Sequence, residues 1–149
     1  MLSHALQFLS AALCAGCLPA LAGEGPATAL EAATIRAKVQ SVTEAHNRML
    51  RSGSTPADIE QLFAHYCADF VYEHERYGGR YSRAELHGNS LRGQAAGRYK
   101  LEADDYRLLD IWVGHNAALV KRLDQAKGLE RLTVFEFKGD CISRAMEYW

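Results

Sequence analysis

Two periodicities divide the chain, and their order sets the fold class. Ile35, Val39, Val42, His46 and Met49 recur at spacings of four, three, four and three, the stripe of an amphipathic helix ending near Gly53. Thr28-x-x-Glu31 ahead of it has the form of a capping box. Thr55-Pro56-Ala57-Asp58 opens a second helix, with Pro in the first turn, Asp near the positive helix end, and Ile59, Leu62, Phe63 and Tyr66 on one face. Ser82-x-x-Glu85 caps a third, short helix weakened by Gly88 and Gly93. From Asp105 the period changes to two. Runs at Tyr106 to Val113, Ala117 to Leu123, Leu129 to Phe137 and Cys141 to Trp149 are separated by turn residues and predict an antiparallel meander. Helices first and strands last make an α+β domain in which the helices cover one face of the sheet. The uncovered face predicts a homodimer through the outer side, with Leu109, Ile111 and Val113 too apolar for water.

One stretch breaks its own pattern. In DFVYEHERYGGRYSRAEL, Asp69 to Leu86, a strand begins with Phe70 and Tyr72 on one face, yet the next members of that face are His74 and Arg76. A core face that turns into imidazole and guanidinium points to a pocket wall, or to a strand end where His74 pairs with Glu73 or Glu75 in water. Tyr77-Gly78-Gly79-Arg80 then reads as a two-residue hairpin turn.

Composition narrows the function classes. A formal charge of -1 over 149 residues gives no basic footprint for nucleic acid. The first Asp, Glu, Lys or Arg is Glu24, and the preceding apolar segment is short, interrupted by Gly and Pro, and ends in Ala20-Leu21-Ala22. This is the form of a secretory signal, residues 1–22, cleaved to leave a domain at 23–149 that is periplasmic or secreted, without stable membrane insertion. Its n-region lacks Lys and Arg, so an uncleaved anchor is the alternative. A lipoprotein reading at Cys17 is disfavoured by Cys14 in the place of the usual Leu. Cys67 and Cys141 remain, either as a disulfide or as two separately buried small side chains. They lack the spacing of a zinc site, and the histidines form no HxH or HxxxH pair, so no metal and no cofactor are expected.

The order of elements, with YCADFVYEHERYGG after two helices and LTVFEFKGDCISRAMEYW as the closing hairpin, resembles the SnoaL-like branch of the superfamily named after nuclear transport factor 2 (NTF2-like). The resemblance spans nearly all of residues 23–149 and implies a cone in which a curved antiparallel sheet and the N-terminal helices enclose a pocket. It does not fix an activity, because that superfamily includes ketosteroid isomerases, scytalone dehydratases, polyketide cyclases and domains with no known reaction. Matched against the isomerases, His74 falls where they carry the carboxylate base, His46 where they carry a donating tyrosine, and Thr133 where they carry a protonated aspartate. All three identities differ, so the resemblance implies convergent polar side chains on an apolar cavity rather than the isomerase chemistry itself.

Two functions follow as expectations. One is a cofactor-independent isomerase or lyase, of cyclase or dehydratase type, acting on a small apolar molecule with His74 as base and His46 or Thr133 as donor, since an imidazole titrates near neutrality. The other is a non-catalytic ligand-binding or interaction module. Phe70, Tyr72, Arg131 and Phe135 complete the expected pocket, with a solvated side chain as the alternative for Arg131. His46 reads equally as a histidine bonded within the core, and Thr133 as an ordinary strand residue.

Overall fold

The computed structural model describes residues 29–149; the expected cleavage site at Ala22, Cys14, Cys17 and Thr28 lie outside them. Three helices and six strands follow in the order α1 (Ala32–Leu50), α2 (Pro56–Phe63), β1 (Tyr66–His74), β2 (Gly79–Ser82), α3 (Arg83–Ala95), β3 (Tyr106–Gly114), β4 (Ala117–Asp124), β5 (Leu129–Lys138) and β6 (Cys141–Glu147). The expected helix at the N-terminus forms, but Glu31 is its N-cap and makes no side-chain cap bond, so it is not the third residue of a helix begun at Thr28. The second helix has the capping box Thr55/Asp58 with Pro56 in its first turn. The third has the box Ser82/Glu85. Tyr66, expected on the second helix, opens β1 instead.

The sheet is open, in the order β2-β1-β6-β5-β4-β3. Strands β3 to β6 are the predicted meander, antiparallel throughout. The β1–β2 hairpin joins that meander through a parallel pairing of β1 with β6, which puts the first strand of the chain beside the last. Cys67 and Cys141 form a disulfide across this seam. Closing a loop of 74 residues' separation removes unfolded-state entropy worth about 4 kcal/mol in the chain-entropy picture.

Helix α1 lies against β3 and β4, and α3 against β1. Ile35, Val39, Val42 and Met49, the sequence stripe, are buried together with Ile59, Leu62 and Phe63 of α2 and Phe70, Val120, Phe135 and Ile142 of the sheet. Truncating a fully enclosed member such as Ile35 or Ile59 to alanine costs about 2–5 kcal/mol.

Register decides which side chains reach the concave face, and in β3 it departs from simple alternation. A bulge between Leu108 and Asp110 shifts β3 by one residue. Ile111 consequently turns inward and is 8 % exposed, Val113 packs against the core, and Trp112 turns outward beside Leu119 and Leu132. Of the outer-face trio expected from alternation, Leu109 alone is exposed. The hairpin after β1 also differs. His74 pairs with Gly79, so the loop is Glu75-Arg76-Tyr77-Gly78, with Gly78 at φ 64°, and Arg76 lies in the loop instead of continuing the strand face.

Candidate functional site

The concave face of the sheet is apolar at one end and charged at the other. On β4, alternate residues Ala118, Val120, Arg122 and Asp124 are all buried. On β5 the same face carries Arg131, Thr133, Phe135 and Phe137, and on β6 Ala145 and Glu147. Arg122 and Arg131 are direct cross-strand partners, a pairing of like charges that is unfavourable unless each has its own counterion. Each does: an Arg122 amino group donates to Glu147 Oε1 at 2.8 Å, and one of Arg131 donates to Asp124 Oδ2 at 3.1 Å. Four charges summing to zero are thus buried on the sheet floor.

Above the Arg122 pair is a cavity of about 310 Å³, with Val42, Met49, Leu62 and Phe63 on the helix side. Its sheet side carries Tyr66, Tyr72, Tyr106, Arg122, Phe135 and Glu147, with Trp149 beyond the end of β6. A volume near 300 Å³ is at the lower end for small-molecule sites. The Tyr72 hydroxyl donates to Glu147 Oε2 at 2.8 Å, and Arg122 donates to Thr133 Oγ1 at 2.6 Å, so both carboxylate oxygens are engaged. The Arg122 guanidinium also lies 4.1 Å from the centre of the Tyr106 ring. Tyr106 is fixed in turn by the buried side chain of Asn47 on α1, which donates to its carbonyl at 2.8 Å and accepts from its N–H at 2.9 Å. Burial pushes the Tyr66, Tyr72 and Tyr106 phenols far above their ordinary range, Glu147 adding to the rise at each, so all three stay protonated.

The residues singled out in the sequence are dispersed by this geometry. His46 lines the cavity, with Nε2 3.7 Å from Asp105 Oδ2 and its ring 5.5 Å from that of Tyr106. Tyr72 and Phe135 line it as well. Thr133 is 1 % exposed and sits behind Arg122, accepting its hydrogen bond. Phe70 is a core residue stacked on Tyr66 at 4.1 Å. Arg131 is neither solvated nor on the cavity wall: it is 7 % exposed, bonded to Asp124, and packed 4.1 Å from the centre of the Trp149 ring. His74 also lies off the wall. It is 7 % exposed behind Tyr72 and Trp149, whose ring centres are 6.5 and 4.7 Å from its own, and Tyr77 covers it from the hairpin at 4.5 Å. Neither of its ring nitrogens has a hydrogen-bond partner among the described residues. The strand therefore does carry the polar turn of its face to a buried place, but aromatic side chains separate that place from the void.

Arg122, Glu147, Tyr66, Tyr106 and Trp149 escaped the sequence reading. The first two carry the same signal that drew notice to β1, a core face that becomes charged, in Ala118-x-Val120-x-Arg122-x-Asp124 and Ala145-x-Glu147. The tyrosines carried no such signal, because a strand tyrosine is an ordinary half-buried residue.

No protein-family model matches the sequence, and no curated protein matches it either. Solved structures do match in shape. A SnoaL-like protein of unknown function from Burkholderia thailandensis is similar at 14% identity and a TM-score of 0.61, over 81% of this chain and 98% of that one. An NTF-2 like protein of unknown function from Burkholderia xenovorans is similar at 18% identity and a TM-score of 0.56, over 78% and 82%. A protein with a ketosteroid isomerase-like fold from Catenulispora acidiphila, solved in complex with trimethylamine, is similar at 16% identity and a TM-score of 0.50, over 75% and 84%. These likenesses meet the helix-covered open sheet, and the chain has the NTF2-like α+β cone fold.

Proposed function

We propose that this chain is an exported small-molecule pocket protein whose cavity takes a small, largely apolar ligand, and that its chemistry is cofactor-independent proton transfer of the isomerase or lyase kind with His46 as the transferring group. The observation that carries this reading is the hydrogen-bonded Arg122–Glu147–Tyr72 set on the wall of an otherwise apolar cavity. A buried ion pair is at best weak support for stability, since well-packed apolar side chains do as well or better. Its place beside a void suits orientation of a ligand. His46 replaces His74 in the role of base because it borders the void, whereas both oxygens of Glu147 are already engaged by Arg122 and Tyr72. A shared fold does not fix a reaction, so this class rests on the residues at the void.

The engagement of both Glu147 oxygens favours a second reading, a non-catalytic binding module in the same cone. The two separate in one experiment. Small apolar compounds are screened for binding by thermal shift, and hits are followed for double-bond migration or loss of water with the parent and with His46→Gln. Turnover that falls in a folded, ligand-binding variant supports catalysis; binding without turnover in the parent supports the module.

Export is supported by the apolar N-terminal segment ending in Ala22 and by the Cys67–Cys141 disulfide, which suits an oxidising compartment. Self-association is proposed through the outer sheet face, where Trp112, Leu119 and Leu132 are exposed together. A parent that sediments as a monomer at all concentrations would remove the dimer.

A further inference from the structure

The three helices cover the cavity with unequal grip. Six residues of α1 and four of the eight in α2 are buried, among them Ile35, Val39, Ile59 and Phe63. Helix α3 has thirteen residues and buries one, Gly93, which has no side chain to pack. It walls the cavity all the same, through Leu86 and Ser90 one turn apart, while Ala84, Glu85, Asn89, Arg92 and Ala95 are exposed. What fastens it is mainly polar. His87 Nε2 meets Glu60 Oε1 at 2.7 Å, Arg83 donates to the Phe63 carbonyl at 3.0 Å, and Gln94 donates to the Ser54 carbonyl at 2.9 Å. A side-chain pair as exposed as His87 and Glu60 contributes little. Before α3 stands β2, a four-residue strand on the sheet edge, and after it the chain turns through Gly97 at φ 63°. The backbone is fastened again at Leu101, which bonds Leu50 and Ser52.

Building on the pocket reading above, we infer that α3 is the lid of the cavity: it comes away from α2 and the sheet to admit a ligand, and closes over it with Leu86 and Ser90. Local opening falls to the segment with the fewest buried apolar contacts, and among the helices that segment is α3. Detachment also melts it. A short segment carrying Gly88 and Gly93 does not hold a helix in water by itself, so each opening exposes its amides to solvent. The other walls are held: α1 and α2 by the buried side chains named above, and Trp149 between the Arg131 guanidinium at 4.1 Å and the His74 ring at 4.7 Å. A lid of this kind sets the rate at which a ligand enters and leaves, while the affinity stays with the cavity wall.

The test uses the full chain and naphthalene, an uncharged probe that suits a cavity of about 310 Å³. Hydrogen exchange followed by mass spectrometry should show the α3 amides exchanging about tenfold or more faster than those in the middle of α1, with saturating naphthalene slowing α3 most. Gly88→Ala places its new Cβ against only the end of the Arg92 side chain, and should slow α3 exchange about threefold by favouring the helix. Glu60→Cys with His87→Cys, bridged by dibromobimane, ties α3 to α2. In stopped-flow fluorescence the bridged chain should bind and release naphthalene about tenfold or more slowly than the unbridged double variant, with Kd within about twofold. Exchange of α3 as slow as that of α1, or binding rates untouched by the bridge, overturns the lid and leaves the pocket standing. No naphthalene binding in any form overturns the pocket reading and the lid with it. Should the double variant fail to fold, exchange in the parent and in Gly88→Ala decides.

Discussion

Arg122 and Arg131 face each other across β4 and β5, are buried to nearly the same extent, and each holds one carboxylate and one aromatic ring, yet they sit in different surroundings. The Arg131 pair is closed. Asp124 also accepts from the Lys127 N–H at 3.0 Å and its carbonyl accepts from the Gly128 N–H at 2.8 Å, so the pair fastens the β4–β5 turn. The Arg122 pair is open on one side, where its carboxylate meets Tyr72 and the cavity. Identical chemistry serves a turn in one place and a void in the other. What a buried ion pair does is read from the space beside it, not from the pair.

The largest effect should come from breaking the closed pair. Arg131→Met leaves the buried Asp124 only the exposed Lys127 ammonium, 3.6 Å away, and should cost about 3 kcal/mol in denaturant unfolding, with ligand affinity of any molecule that still folds unchanged. A loss below about 1 kcal/mol would mean that the turn, not the ion pair, holds Asp124.

The histidines sharpen the same contrast between wall and interior. His46→Gln should lower turnover roughly a hundredfold while the fold is retained, because it removes a proton-transfer group at the void. His74→Gln should leave turnover and affinity unchanged and alter only the melting temperature, since Tyr72 and Trp149 stand between it and the cavity. The reverse ranking would restore His74 to the mechanism and imply that Trp149 moves aside.

Removing whole pairs should separate them further. Arg122→Met with Glu147→Leu should recover roughly 2 kcal/mol or more of the stability lost by Arg122→Met alone, because an apolar replacement no longer strands a charge. Affinity for a ligand of the cavity should stay weakened, since both residues line it. Arg131→Met with Asp124→Leu should recover less, because the Lys127 N–H loses its acceptor. Equal recovery in calorimetry would erase the distinction.

The smallest effect is on acid stability. Burial by itself raises the Asp124 carboxyl, but the hydrogen bonds from Arg131 and the Lys127 backbone, with both their charges, bring it below its ordinary value. A carboxyl lowered on folding contributes stability that is present above its unfolded value and lost as pH falls through the folded one. The unfolding free energy should therefore decline below about pH 4. Asp124→Asn should flatten part of that decline; an unchanged slope would assign it to other carboxylates such as Asp58, lowered chiefly by the Thr55 backbone hydrogen bond and also by Arg48.

The sequence alone determined the elements and their class. A 3.6-residue stripe at Ile35 to Met49, the capping signals at Thr55 and Ser82, and the alternation after Asp105 are local, because helix and strand periodicity is written in near neighbours. It also located a buried polar turn on β1, since a strand face that changes from Phe70 and Tyr72 to His74 is visible within five residues. Only the tertiary structure decided which polar residues meet a void. The parallel β1–β6 pairing brings Tyr72 to Glu147 across 75 positions. The antiparallel β4–β5 and β5–β6 registers put Thr133 and Glu147 beside Arg122, and the bulge in β3 reverses its later residues between faces. Trp149 and Tyr77 close over His74 from other elements and divide it from the cavity that its strand pattern implied. Periodicity fixes the direction of a side chain from its own strand; whether that direction leads to a ligand, an ion pair or an aromatic ring depends on residues tens of positions away, brought there by pairing and packing.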